Sequence, residues 1–379
     1  MEWFALIIPI IGGILLKVFA NKLMRWWEFF IPFAVSVVVI FLGKTVAEKI
    51  AVMDTEYWGG WITNVTYYEP WDEEVPCRHP IYRTVTHTDS KGNTYTTQEF
   101  AGWQHSYDVD YHGPEWIVEG SNNESISVDQ SKYLELKNIF KNSIFKDMHR
   151  DYHSIDGDAW VSEYPGGMDI LQPITTTHTY ENRVAKSRGV YSFKEVDPSK
   201  TSVFEYPDRD YFNTSSVLSK SAWPNSDKID KLNALLGAEK KIRIWVLIWE
   251  GNVGREVFYD QMAYWKGGNK NELVICLNVK SAADPVVQWC EVFSWSKSEN
   301  LKTAIKSYLS IDNSVLDLKE FAKWLEPEVR TKWEKRNWHD FDFLSVEPPM
   351  WAIVLIWLFT IGATVGAGYY CLNNGIDND

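Results

Sequence analysis

Met350-Trp-Ala-Ile-Val-Leu-Ile-Trp-Leu-Phe-Thr-Ile-Gly-Ala-Thr-Val-Gly-Ala-Gly-Tyr-Tyr-Cys-Leu372 is the apolar heart of a longer run, residues 348–376, that carries no charged side chain. A helix needs about 20 such residues to cross the hydrocarbon core of a bilayer. Two shorter apolar runs, residues 3–16 and 29–43, open the chain. This reads as an N-terminal transmembrane hairpin of two helices (residues 1–45), a polar body, a closing transmembrane helix (349–372) and a tail (373–379). The lipid bilayer is thus the first expected partner.

Of the 379 residues, 45% are hydrophobic and 23% charged, so the body can bury a core. The net charge of −13 argues against nucleic acid, whose binding depends on neutralising phosphates with Lys and Arg. The densest basic stretch, Arg330-Thr-Lys-Trp-Glu-Lys-Arg336, stands just before the last apolar run and reads as a topology signal. Tryptophan is unusually frequent, with 20 copies. Trp3, Trp26, Trp27 and Trp351 flank the apolar runs, where amphipathic rings favour the headgroup level. The others read as large core side chains, with an aromatic binding face as the alternative.

The first apolar run lacks a basic leader and a small-residue cleavage site, so it is not a cleavable signal peptide. Lys44, Lys49, Arg330, Lys332, Lys335 and Arg336 lie on the body side of the membrane segments, and the tail has no Lys or Arg. The positive-inside rule then places the body in the cytoplasm and the tail outside. The hairpin loop, with Lys22 and Arg25, pulls the opposite way. Sequons at Asn64, Asn123 and Asn213 are treated as chance matches. Gly362-Ala-Thr-Val-Gly366 matches the small-xxx-small pattern that lets helix backbones approach in lipid. Two partners are open for it, the N-terminal hairpin or a second copy of the chain, hence self-association through Gly362 and Gly366.

The body reads as α+β. Residues 55–225 are β-rich with one helix: residues 62–68 and 81–87 are β-branched and aromatic, and Asp89-Ser-Lys-Gly-Asn93 is a turn between threonine-rich strands. Tyr133, Leu136, Phe140, Ile144 and Met148 recur at helical spacing. Residues 157–161, 174–180 and 190–196 are strand-like. Residues 226–345 read as a sandwich module of order β-α-β-β-α-α. A short amphipathic helix, closed by Gly237, leads into it. Ile242-Arg-Ile-Trp-Val-Leu-Ile-Trp249 suits a central strand, and Gly267-Gly268 stops the helix after it. Two paired strands follow, and Ser296-Lys-Ser-Glu299 is a capping box for the next helix. The last helix carries Leu318, Phe321 and Leu325.

Four cysteines are too few for a disulfide scaffold. Cys77 stands alone and Cys371 lies in the closing apolar run. A hairpin centred on Ala283 would make Cys276 and Cys290 direct cross-strand partners, close enough to bridge; in a reducing compartment they would be two core thiols.

Within the module, Trp265-Lys-Gly-Gly-Asn-Lys-Asn-Glu-Leu-Val-Ile-Cys-Leu277 and the element order over residues 242–309 resemble the TPM domain. That resemblance implies membrane tethering and, for some members, phosphatase activity or metal binding. This chain has Glu272 where that family has glycine. Asp54-Thr-Glu-Tyr-Trp-Gly-Gly60, Asp147-Met-His-Arg-Asp-Tyr-His153, His178-Thr-Tyr-Glu-Asn-Arg183 and residues 264–272 resemble an uncharacterised family of membrane-anchored proteins from tailed phages and bacteria. It implies a phage or prophage origin and action at a bacterial inner membrane.

The one apparent metal-ligand constellation is Asp147, His149, Asp151, His153, Asp156 and Asp158. If the preceding helix runs through it, His149 and His153 share a face and could grip Zn²⁺. The alternative is a solvated helix end and turn. Gly267-Gly-Asn-Lys-Asn271 could cradle an anion, though it precedes a strand and reads better as a tight turn. No nucleophile-base signature stands out. The preferred function is a non-enzymatic, membrane-tethered binding or structural protein with a protein partner. The alternative is a membrane-anchored metal-dependent hydrolase of phosphatase type. No catalytic residue or cofactor is assigned.

Overall fold

The computed structural model describes residues 2–19, 30–187, 193–310 and 314–373. A 3₁₀ turn (Glu2–Leu6) leads into α1 (Ile7–Phe19); α2 (Phe30–Val52) then runs antiparallel beside it. The polar loop expected between them, with Lys22, Arg25, Trp26 and Trp27, lies outside the described residues. The 3₁₀ turn and α1 together rise roughly 30 Å. α2 is long and apolar enough to cross a membrane, as is the last helix of the chain, whereas α1 alone is shorter.

α2 passes without a break into β1 (Met53–Tyr68), the spine of the first half. β2 (Trp71–Pro76), β3 (Pro80–Thr88), β4 (Thr94–Trp103), β5 (Tyr107–His112), β6 (Glu115–Gly120) and β7 (Ser125–Ser127) follow. α3 (Gln130–Phe140), β8 (Ile144–Lys146), β9 (Tyr152–Asp156), β10 (Ala159–Glu163) and β11 (Pro173–Glu181) complete this half. β1 is long enough to serve two sets of neighbours: its first part pairs with β11, its second with β6 and β10. β5–β2–β9 form a separate three-stranded sheet, and β3–β4 a two-stranded ribbon of their own. The expected turn closes that ribbon. Asp89 Oδ1 accepts the Lys91 and Asn93 amides, and Gly92 takes φ +83°, which only glycine adopts without strain.

α3 ends sooner than its periodicity suggests. Tyr133, Leu136 and Phe140 are buried, but Lys141 turns left-handed (φ 64°) and the chain reverses. Ile144 therefore sits on β8, and Met148 in the loop beyond it. Residues 193–196 form no strand, and 190–192 lie outside the described residues.

The second half adds α4 (Arg183–Lys186), β12 (Val217–Ser219), α5 (Asp227–Lys240), β13 (Arg243–Glu250), α6 (Glu256–Tyr264), β14 (Glu272–Val279), β15 (Val287–Phe293), α7 (Glu299–Leu309) and α8 (Leu318–Lys332). From β13 onward the order is the expected β-α-β-β-α-α. The sheet runs β12–β13–β14–β15, with β15 antiparallel and the others parallel. Parallel pairing requires a crossover, which α6 supplies between β13 and β14. β13 is buried on both faces, hence its unbroken apolar run. Ile244, Val246 and Ile248 meet α5, α7 and α8, while Trp245, Leu247 and Trp249 meet α6 and residues 203–206. α7 begins at Glu299, with Ser298 at its cap position and no side-chain cap bond, so the capping box at 296–299 does not form. Ser298 Oγ instead turns to the Glu334 carbonyl and amide.

Two expectations change with register and contact. Gly237 does not close α5; the helix runs on to Lys240, and Lys241 is the left-handed cap. At Gly237, α5 packs closely against β1. A Cβ there would lie 2.4 Å from the Gly59 carbonyl oxygen. Likewise, Cys276 and Cys290 are not partners. A bulge between Asn278 and Val279 offsets the ladder, so Cys276 opposes Glu291 and Cys290 opposes Leu277. Because side chains alternate across a strand, one thiol enters each core layer. Both are free and buried.

α9 (Met350–Asn373) returns to the N-terminal helices. Ala5, Ile40 and Ile356 form a small core; Ser36 Oγ and Thr364 Oγ1 are 3.2 Å apart and buried. The face of α9 turned inward is Ala352, Ile356, Thr360, Thr364 and Gly368. A methyl group added at Gly362 or Gly366 would meet no described atom within 4 Å, so these two glycines do not pack on the N-terminal hairpin. They face outward, among Phe359, Val365 and Tyr369.

Candidate functional site

The His/Asp constellation read from the sequence does not assemble as one site. Without a helix through residues 147–153, His149 and His153 share no face. His149 is almost fully exposed and pairs with Asp147 (Nδ1–Oδ1 3.3 Å). His153 lies on β9 and reaches Glu74 on β2 (3.1 Å). Asp151 is exposed. Asp147, Asp156 and Asp158 do converge, their carboxylate oxygens within 4.8 Å of one another, but they bring no nitrogen or sulfur donor. Asp158 Oδ1 already accepts the Met148 amide. The constellation is spread over a loop (147–151), β9 and the turn that follows it, where Gly157 takes φ +68°.

The Gly267–Asn271 loop is also a turn, and the anion at its amides is the chain's own. Lys266, Gly267 and Gly268 all have positive φ. The Asn269 amide donates to Glu272 Oε2 (2.7 Å), and Trp245 Nε1 to Oε1 (3.0 Å); the Tyr206 hydroxyl also donates to Oε1. Glu272 is fully buried, and burial raises its pKa against the pull of these donors. A cavity of about 310 Å³ opens beside the loop, lined by Asp54, Tyr57, Asn182, Tyr206, Trp265 and Asn269.

A different set of metal-ligating side chains comes together where the β3–β4 ribbon leaves the body. Cys77 and His79 sit in the link from β2 to β3, His105 in the link from β4 to β5, and Asp108 on β5. The ligand atoms of all four lie within 4.8 Å of one another. His79 Nδ1 is 3.2 Å from Asp108 Oδ1, His105 Nε2 is 3.4 Å from the same oxygen, and Cys77 Sγ is 3.9 Å from His105 Nε2. Cys77 is buried and the imidazoles are accessible from solvent.

The surroundings orient these donors. His105 Nδ1 is 2.6 Å from the Tyr107 carbonyl, which can only accept, so Nδ1 carries a proton and Nε2 points into the cluster. The Arg78 amide donates to Asp108 Oδ2 (2.6 Å), leaving Oδ1 to face the histidines; this bond is the chief reason the Asp108 carboxyl sits below its usual pKa range. Arg78 is held by Asp110 on β5. The His79 amide points at Cys77 Sγ (3.4 Å).

The sequence hides this cluster because Cys-x-His and His-x-x-Asp are separated by the whole ribbon. The available signal is the turn: paired outward from Asp89–Asn93, a hairpin returns residue 105 to the neighbourhood of residue 77.

The ribbon itself is largely exposed. Tyr82, Tyr95, Phe100 and Trp103 are each more than half exposed. Tyr82 and Phe100 meet edge-on across the strands, and Phe100 and Trp103 meet edge-on along β4. Arg83–Glu99 and His87–Thr97 pair alongside. The aromatic surface thus stands away from both cores, with the four-residue cluster at its root. Comparison of the chain with protein-family models, curated proteins and solved structures finds no match to any of them.

Proposed function

We propose that this is a membrane-tethered binding protein whose body engages a protein partner through the β3–β4 ribbon. The observation that carries the tethering is the convergence of α1, α2 and α9 from opposite ends of the chain into one bundle. Its outer surface is ringed by exposed Ile10, Val38, Phe41, Leu358, Phe359 and Val365. Large apolar side chains covering a whole helix circumference suit lipid rather than water. The anchor is coupled stiffly to the body, since α2 becomes β1 directly and the Asn182 amide donates to the Val52 carbonyl at the join.

Trp3 lies at the level of Lys44, 5.9 Å from its ammonium, so the N-terminus and the body share one side of the bundle. With Lys44, Lys49 and the Arg330–Arg336 cluster also on that side, the body is cytoplasmic and the tail outside. The partner is expected to be a protein because exposed aromatic side chains of this kind are enriched at protein interfaces. A hydrolytic reading gains nothing from the Cys77 cluster, where four protein donors would fill a tetrahedral shell.

A photo-crosslinking residue at Tyr82 or Trp103, in full-length protein in native membranes, should capture one discrete protein, and the same probe at Tyr259 on α6 should not. A reporter fused after Asp379 should be active only outside the cytoplasm. Release of the chain by alkaline extraction would end the tethering reading, and indiscriminate capture from both positions would end the ribbon reading.

A further inference from the structure

We propose that Cys77, His79, His105 and Asp108 form a structural zinc site that clips the root of the β3–β4 ribbon. Three features of the geometry support it. The donor set is complete for tetrahedral Zn²⁺: one sulfur, two imidazole nitrogens and one carboxylate oxygen. Zinc bonds of about 2.0–2.3 Å to such donors imply donor–donor edges of roughly 3.3–3.6 Å. The observed separations of 3.2, 3.4 and 3.9 Å bracket that range.

The second feature is the His105 orientation. With Nδ1 held by the Tyr107 carbonyl, Nε2 is the nitrogen turned toward a carboxylate oxygen and a sulfur. These three donor atoms converge on one point, where a metal ion would replace the thiol proton that Cys77 otherwise carries. A carbonyl fixing the far nitrogen of an imidazole, and a backbone amide fixing the far oxygen of a carboxylate, are the supports that metal ligands ordinarily have. On binding, the Cys77 thiol loses its proton to solvent, and thiolate plus carboxylate neutralise the two charges of the ion. Sulfur and imidazole donors disfavour Ca²⁺ and Mg²⁺, which take oxygen.

Third, the site stands where the β2–β5 and β3–β4 ladders break. An isolated two-stranded hairpin is marginal in water. This ribbon has no third strand among the described residues; below its root β2 and β5 pair on from Pro76–Tyr107, and in the break between the two ladders the Gln104 amide donates to the His79 carbonyl (3.0 Å). A metal bridging residues 77–79 to 105–108 closes both strands at one point.

The test uses full-length protein in detergent, stripped with chelator and titrated with Co²⁺ and then Zn²⁺. Tetrahedral Co²⁺ bands with a sulfur charge-transfer band, saturating at one equivalent and bleached by Zn²⁺, are expected. Zinc should protect Cys77 from alkylation, and its removal should speed amide exchange along residues 80–103. Cys77→Ser and His105→Ala should each weaken zinc binding at least about tenfold, which for ligands is a lower bound given what their supporting residues contribute. His149→Ala should leave it unchanged. Absence of cobalt uptake by the wild-type chain would overturn the proposal. So would cobalt bands that persist in Cys77→Ser, or an alkylation rate at Cys77 that zinc does not alter. A cluster held by a proton on His105 Nε2 gives that last result.

Discussion

Replacing Gly237 by Ala tests the joint between the two halves of the body. α5 serves both halves: Ile229, Leu232 and Leu236 line the β12–β15 core, and Gly237 rests on β1. A methyl at Gly237 would lie 2.4 Å from the Gly59 oxygen, 2.8 Å from its nitrogen and 3.0 Å from its carbonyl carbon. These are backbone atoms and cannot rotate away. Nor can Gly59 retreat, since its own Cβ position is 1.7 Å from the Ile174 oxygen on β11. Restoring van der Waals distance requires α5 to move by roughly 1 Å from a packed interface. Overpacking of this kind costs about 1–3 kcal/mol, and the rigid obstacle puts it at the upper end. Alanine regains about 1 kcal/mol of helix propensity. The net loss is about 2 kcal/mol, or a drop of about 4–8 °C in melting temperature for a body of this size. Tryptophan fluorescence melts of the full chain in detergent read it, with Gly113→Ala as control. No atom lies within 4 Å of a methyl at Gly113, so that variant should be neutral or gain about 0.4–1 kcal/mol. A Gly237→Ala chain melting at or above wild type would refute the close contact between α5 and β1.

Lys241→Gly should act in the opposite direction, because Lys241 holds the left-handed cap at φ 51°; a gain of up to about 1 kcal/mol in the same melts is expected. Oxidation should leave Cys276 and Cys290 unlinked in any compartment, as mass spectrometry after alkylation will show; a bridged peptide pair would mean that the bulge in β14–β15 is absent. Ser36→Cys combined with Thr364→Cys should cross-link α2 to α9 on mild oxidation, whereas Ser36→Cys with Gly362→Cys should not. Asp230 supplies a pH dependence. Burial, opposed by the Ser216 hydroxyl and Arg243, pushes its carboxyl up to about 6. The folded state therefore holds this proton more tightly than the unfolded state, and stability falls as pH rises from about 4 through 6. Asp230→Asn should flatten that slope in melts taken across this window, and an unchanged slope would assign it to other groups.

What the sequence made legible was whatever one element decides alone. The apolar run of β13 needs no knowledge of its neighbours, and Asp89-Ser-Lys-Gly-Asn93 closes a turn by its own hydrogen bonds. Features set by two elements at once escaped. Gly237 looks like a helix end because glycine usually is one, yet its role is fixed by Gly59, far away in the chain. Cys276 and Cys290 look paired because a turn centre predicts register only until a bulge intervenes. α3 fails to reach His149 and His153 because periodicity in Ile144 and Met148 carries no signal for the left-handed step at Lys141.

The Cys77 cluster shows how such pairings could be read forward. Thr88 pairs with Thr94, so the ribbon folds about residue 91, and Cys77 and His105 each lie 14 residues from that point. A turn identified locally is thus also a ruler: it states which distant residues its strands return to one another, until a bulge moves the mark by one. The same ruler at the β14–β15 hairpin failed by that single residue. The difference is physical. At the ribbon Cys77, His79 and His105 lie in links just beyond the ladder, so the one-residue shift at Ile81–Tyr82 inside it still leaves them together. At β14–β15 the cysteines lie inside the ladder, where a shift of one moves a side chain to the opposite face. Hairpin arithmetic therefore locates candidate ligand clusters at the root of a ribbon more securely than it locates partners within one.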